Sequence, residues 1–297
     1  MSKPKIVITG ASGFLGYHLV REAAKMYDVY ALYHSQKGDF DAVHWLQCDV
    51  TNHIQVGDLL EDIEPDFIIH AAASADTNFC ELHPEESRMI NVDATINLVG
   101  IAADFNIPFV FTSTDLVFDG GRGLYTEDDT VNPMNAYGRQ KAEAERVVLE
   151  IYPNAFVARL PLMFGDIKAG GNGNYLRRFI SENEEGKISS LFDDEYRSIG
   201  GAYSIAKCIV ALMPNQHGII QIAGKEVVSR YAFGLLAADV FALNKTLLQS
   251  VSQNDFTFIA KRPKNVSLNI SKALALGYNP LSIIEELNIC VSNSLSR

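Results

Sequence analysis

The chain has 297 residues, 47% of them apolar and 21% charged, an ordinary globular composition that can bury a substantial core as one large domain or two small ones. Its net charge of −11 argues against a general nucleic-acid or anionic-membrane surface, so an anionic ligand must meet a local basic pocket. Cys48, Cys80, Cys208 and Cys290 form no metal-type pair, no apolar run reaches the length of a membrane span, and the direct entry into an apolar strand leads us to expect no charged leader with a long apolar run. Free thiols in a soluble cytoplasmic protein are the expectation.

Strands and helices alternate along the chain. Lys5–Thr9 is a short β-branched strand, followed by the loop Gly10–Gly16 and a helix to about Tyr27 with Leu15, Leu19 and Ala23 on one face. Asp28–Tyr33 and Val43–Gln47 are further strands, and Thr51 or Asn52 caps the next helix. Asp66–His70 is a fourth strand ending in Ala71-Ala72-Ala73, and a long helix from Pro84 to about Phe105 leads to a fifth, Pro108–Thr112. A helix to about Ile151 and a sixth strand, Ala155–Leu160, follow. This order predicts an α/β fold, a doubly wound parallel sheet of Rossmann type with ligands at the carboxyl edge of its strands.

After Gly165 the character changes. Asp166–Tyr175, with Gly170, Gly171 and Gly173, reads as a mobile loop. Helical patterns at Ser204–Met213, Tyr231–Leu243 and Leu281–Ile289 then mix with a short strand at Gly218–Ala223. The expected division is a dinucleotide-binding domain of residues 1–165, joined by about 199–224. Residues 166–198 and 225–297 form a smaller, mixed α/β substrate domain.

Two stretches carry chemistry. Gly10, Gly13 and Gly16 stand between a strand and a helix, with Ser12, Phe14 and Leu15 among them. That spacing allows close backbone approach to a pyrophosphate, which the amides and dipole of the helix N-terminus then hold. It also suits a plain tight turn. The end of the second strand lacks the acid usual in NAD sites. His34, Ser35 and Lys37 there are candidates to accept a 2′-phosphate, or else a solvated turn, so NADP is expected ahead of NAD. Asp49, beside Val50, is either an adenine contact or a helix-start residue. Ala71, Ala72 and Ala73 leave room for backbone to pass beside a cofactor.

The second stretch runs from Phe111 to Lys141. Thr112, Ser113 and Thr114 end the fifth strand, and Tyr137 and Lys141 lie four apart on a helix, hence on one face. A phenol can donate a proton near neutrality when a cation beside it stabilises the phenolate and lowers its pKa, while a strand hydroxyl holds a carbonyl oxygen. A Tyr-x-x-x-Lys pair by itself is usually a surface pair. Its place after Thr114, in a chain with the glycine loop, points to carbonyl reduction. Asn91, on the preceding helix, either contacts water or backbone behind the lysine or faces solvent.

Thr9–Gly16 (TGASGFLG), His70–Ala73 (HAAA), Asn91, Ser113–Gly120 (STDLVFDG), Tyr137-x-x-x-Lys141 and Arg262–Asn269 (RPKNVSLN) together resemble the extended short-chain dehydrogenase/reductases over most of the chain. Within that superfamily the chain is similar to the dTDP-4-dehydrorhamnose reductase-like group, which includes a regulatory β subunit of methionine adenosyltransferase. The resemblance implies that Thr114 binds the substrate carbonyl and Tyr137 donates the proton. It implies that Lys141 holds the nicotinamide ribose and lowers the Tyr137 pKa, with hydride from the reduced nicotinamide and no metal.

Departures from the pattern narrow the options. Asp115 is followed by Leu116 rather than Glu, which removes the second carboxylate that sugar-nucleotide dehydratases use. Arg159 is followed by Leu160-Pro161-Leu162-Met163 without an aromatic, and Asp193–Ser198 replaces the usual Asp-Gln-x-Gly-x-Pro-Thr. Both changes put a dTDP sugar in doubt. Lys168, Arg177, Arg178 and Arg197 are candidates for a substrate phosphate, although helix-surface charge is the commoner role. The expected activity is NAD(P)H-dependent reduction of a keto group on a sugar nucleotide or similarly polar small molecule, with no nucleic-acid or membrane partner and a homodimer as a possible assembly. The alternatives are an epimerase with bound NAD and a dinucleotide-binding regulatory subunit.

Overall fold

The computed structural model describes residues 2–170 and 174–295. Gly171 and Gly173 of the expected loop lie outside the described residues. Six strands, β1 (Lys5–Thr9), β2 (Asp28–Tyr33), β3 (His44–Gln47), β4 (Phe67–His70), β5 (Phe109–Thr114) and β6 (Phe156–Leu160), join a late strand at Gly218–Gln221. Among the described residues these make one seven-stranded sheet, ordered Gly218–Gln221, β6, β5, β4, β1, β2, β3, with every pair parallel. The chain moves outward from β1 to β3, returns to the other side of β1, and moves outward again. That reversal opens a crevice beyond the carboxyl ends of β1 and β4. FVFTST in β5 and FVARL in β6 are buried at every position, as strands covered on both faces must be.

The helices that follow these strands are α1 (Phe14–Ala23), α2 (His53–Ile63), α3 (Thr77–Leu82), α4 (Pro84–Arg88), α5 (Ala94–Asp104) and α6 (Ala136–Ile151). Later come α7 (Tyr175–Glu184), α8 (Ala202–Leu212), α9 (Arg230–Val240), α10 (Ser271–Ala275) and α11 (Ile283–Leu295). Leu19, Val20 and Ala23 of α1 pack with Ile205 and Ile209 of α8 over one face of the sheet. On the other face lie Val56 and Leu60 of α2, Leu98 and Val99 of α5, and Ala144 and Val148 of α6. Val266, Leu268, Ile270 and Tyr278 also enter the first of these cores. A third core joins Phe164 to Leu176 and Phe179 of α7, Phe233 and Ala237 of α9, and Ile283 and Leu287 of α11. All four cysteines are buried and free. Among the described residues no helix is long and apolar enough to cross a membrane.

Several boundaries differ from the sequence expectation for local reasons. The long helix expected from Pro84 is interrupted by a π-helical turn at Met89–Asp93, and the short helix α3 before it was not expected. α1 ends at Ala23, four residues early. β5 runs on to Thr114, so its hydroxyl residues belong to the strand. Asn52 is the cap of α2, accepting from the Gln55 amide. In the acidic run Glu127–Asp129 the Glu127 side chain accepts the Gln221 amide at 2.9 Å, whereas Asp128 is exposed.

Candidate active site

The crevice is a cavity of about 690 Å³ lined from both halves of the chain. Gly10, Gly13, Phe14, Leu15 and Gly16 form one wall, Ala71 and Ala73 the next, and Thr114, Tyr137 and Lys141 the third. Gly10 has φ of +65°, and a Cβ there would lie 2.6 Å from the Ala72 nitrogen, so only glycine passes this crossing of loops. Gly13 precedes α1 with no side-chain cap, which leaves the first-turn amides open to the cavity they border. These residues fit a dinucleotide pyrophosphate.

A buried polar chain sets the position of the second wall. The Thr9 hydroxyl oxygen accepts from the Ala71 and Ala72 amides at 3.2 and 3.1 Å, so its own proton goes to His70 Nδ1, 2.7 Å away. His70 Nε2 then donates to the Thr95 hydroxyl at 3.0 Å, and Thr95 donates to the Asn91 carbonyl at 3.0 Å. Burial, with Lys141 adding to it, pushes the His70 pKa down to about 3 and keeps the ring neutral, as this chain of donors requires. Asn91 is buried through the π-helical turn. Its side chain accepts from the Ser74 amide at 2.8 Å and donates to the Ser74 carbonyl at 3.0 Å and the Gln140 side chain at 2.8 Å. Asn91 therefore stands behind the cavity wall, tying the Ala71–Ala73 segment to α6.

On the third wall, α6 is pressed against the loop after β5. Gly138 makes this approach possible, since a Cβ there would fall 2.2 Å from the Leu116 carbonyl oxygen. Asn135 caps the helix by accepting from the Gly138 amide at 2.9 Å. The Thr114 hydroxyl accepts from the Leu116 amide at 3.2 Å and donates to Asp115 at 3.3 Å. Burial pushes the Tyr137 phenol above its ordinary range; Cys80 and Asp115 add to the rise, and its contact with the Thr114 hydroxyl opposes it. Burial also pushes the Lys141 ammonium down to about 7, against the attraction of Glu145. The protein alone thus holds a phenol that keeps its proton. The lowering expected from the sequence does not appear in the protein alone, where burial governs the phenol.

Beyond Thr114 the cavity wall becomes ionic. Arg197 donates to Asp115 at 2.9 Å and to Glu195 at 3.3 Å, while Arg230 and Arg262 reach Glu195 at 3.5 and 2.9 Å. Burial works against ionisation of Glu195, but the three guanidinium groups hold its pKa at about 2. Three cations face two carboxylates, and the buried Nε of Arg197 has no hydrogen-bond partner. Of the basic residues expected at a substrate phosphate, only Arg197 borders this cavity. Arg177 and Arg178 are exposed on α7, with Arg178 3.5 Å from Glu182, and Lys168 donates to the Asn293 carbonyl. Glu195, Arg230 and Arg262 were not singled out for this role. The available signal was the alternation of Glu195 with Arg197 and the Arg that opens RPKNVSLN.

The remaining expected cofactor contacts lie outward from this cavity. His34, Ser35 and Lys37 are exposed beyond β2. Asp49 accepts the Thr51 amide and hydroxyl at 2.9 and 2.8 Å in the turn that leads to Asn52, with half-buried Val50 beside it. Ser12 is half-buried in the glycine loop, and Ala72 turns its amide to Thr9.

Residues 4–294 match a family model described as the RmlD substrate binding domain. The chain is 32% identical over 272 residues to a probable low-salt glycan biosynthesis reductase of Haloferax volcanii, covering 89% of each. It is 28% identical over 281 residues to the methionine adenosyltransferase 2 subunit beta of Bos taurus, covering 92% of this chain and 82% of that one. Among solved structures it is similar to a dTDP-4-dehydrorhamnose reductase from Bacillus anthracis in complex with NADP. The TM-score is 0.86 at 25% identity, covering 98% of this chain and 99% of the other. The chain belongs to the RmlD substrate-binding-domain family, the NAD(P)-dependent, dTDP-4-dehydrorhamnose reductase-like branch of the extended short-chain dehydrogenase/reductases.

Proposed function

We propose that the chain reduces a keto group on a sugar nucleotide. The observation that carries this reading is that Thr114, Tyr137 and Lys141 border the same cavity as the Gly10–Gly16 loop. A reduced nicotinamide bound there supplies hydride to the keto carbon. Thr114 holds the carbonyl oxygen, and Tyr137 delivers a proton to it as negative charge develops. Lys141 holds the nicotinamide ribose and stabilises the phenolate that Tyr137 becomes. Arg197, Arg230 and Arg262 receive the anionic end of the substrate, an excess of positive charge inside an acidic protein.

Residues 1–165 with about 199–224 serve the dinucleotide in this reading, and residues 166–198 and 225–297 the substrate. NADP is the preferred cofactor, with Ser35 and Lys37 on its 2′-phosphate. Replacing both by Ala is expected to weaken NADPH binding about tenfold and leave NADH binding unchanged. Equal loss for the two cofactors would argue against that preference. The direct test is consumption of NADPH with a panel of 4-keto sugar nucleotides, dTDP-4-dehydrorhamnose among them. No consumption with any of them would contradict the proposed activity.

A further inference from the structure

Lys141 is 2% exposed, and its Nζ stands 3.9 Å from the centre of the Phe111 ring. Phe111 is fully buried at the middle of β5, three residues before Thr114. The face of an aromatic ring carries partial negative charge and attracts a cation held within about 6 Å, more strongly where water is excluded. Among the described residues no hydrogen bond or salt bridge accompanies this contact at Nζ.

The titratable neighbours explain why a ring matters here. Tyr137 and Glu145 lie on α6 with Lys141, one turn to either side. Glu145 is engaged by Arg159 of β6, with contacts of 3.0, 3.2 and 2.8 Å. Its carboxylate therefore reaches Lys141 only as part of a neutral pair. From β4, His70 is neutral and stacks on Phe111 with ring centres 6.0 Å apart. Asp115, after β5, is tied to Arg197, and Cys80 of α3 acts on Tyr137 rather than on Lys141. Burial favours loss of the Lys141 proton; Glu145 opposes that loss from a distance, and the Phe111 face opposes it in direct contact.

We propose that Phe111 is a positioning residue for the reaction, whose ring face holds the Lys141 side chain in place and charged beside Tyr137. This rests on the roles given above to Tyr137 and Lys141. A leucine or isoleucine would fill the same core volume without attracting the ammonium. The ring is then an electrostatic part of the site as well as a packing element of the sheet.

The test replaces Phe111, site-specifically, with mono-, di- and trifluorinated phenylalanine. Each fluorine weakens the negative ring face while nearly conserving shape, so the fold is retained. Lys141 is followed by NMR of isotope-labelled lysine side chains, its signal assigned with Lys141→Met. The expected result is a titration midpoint that falls stepwise with fluorination. The ammonium-to-amine ratio at fixed pH should drop on the order of tenfold across the series, with thermal stability nearly constant. The alkaline limb of NADPH oxidation should move to lower pH in step. A Lys141 midpoint that is the same in every variant would overturn the proposal, because pure packing is insensitive to ring charge. The titration needs no substrate, so lack of turnover in the unmodified protein counts against the reductase reading alone.

Discussion

At Lys141 two effects of opposite sign meet, desolvation that removes the proton and a ring and carboxylate that retain it. The net result is a pKa lowered to about 7, against an ordinary value above 10. Between those values the unfolded chain binds a proton that the folded chain does not. Folding therefore gains stability as pH rises through that window and loses it as pH falls through 7. Lys141→Met keeps most of the bulk and removes the charge. It is expected to melt higher than the parent near about pH 6, by up to a few kcal/mol, with the advantage fading toward about pH 10. A constant difference across that range, read by thermal scans, would place the lysine charge elsewhere. That Tyr137 and Lys141 share one face was legible in the sequence because a single helix turn separates them. The Glu195–Arg230–Arg262 cluster was not, because its members are far apart in the chain and only packing of the second half brings them together.

Among the elements, α6 and the π-helical turn do most to shape the site. Gly138→Ala is expected to push the start of α6 from the Leu116 carbonyl, costing about 1–3 kcal/mol of stability and moving Tyr137 away from Thr114. Near-parental melting and activity in that variant would show that the contact relaxes freely. Asn91→Leu leaves the Ser74 backbone groups and the Gln140 side chain short of partners, and about 2 kcal/mol or more should be lost in denaturant unfolding. The helix containing Asn91 was readable from its apolar period, but the π-helical turn was not. A one-residue widening leaves that period nearly unchanged while turning Asn91 inward.

At the scale of the whole molecule, the alternating strands were sufficient to predict the parallel sheet, because right-handed crossovers leave few arrangements open. How the second half covers the carboxyl edge follows from packing of α7, α9 and α11, which no local pattern encodes. The outcome is a positive wall within a chain of net charge −11. Substrate affinity should therefore weaken with added salt, and Arg262→Met should raise KM at least about tenfold while kcat changes only a few-fold. A fall in kcat with unchanged KM would instead place Arg262 at the reacting carbonyl. Protonation of a keto oxygen by Tyr137, in a site shared with a nicotinamide cofactor, is best examined by one comparison. NADPH oxidation is followed with a 4-keto sugar nucleotide for the parent protein and for Tyr137→Phe. Turnover by the parent is expected, with a loss of about 10²- to 10⁴-fold in the variant and NADPH affinity kept. Equal rates for the two proteins would contradict it.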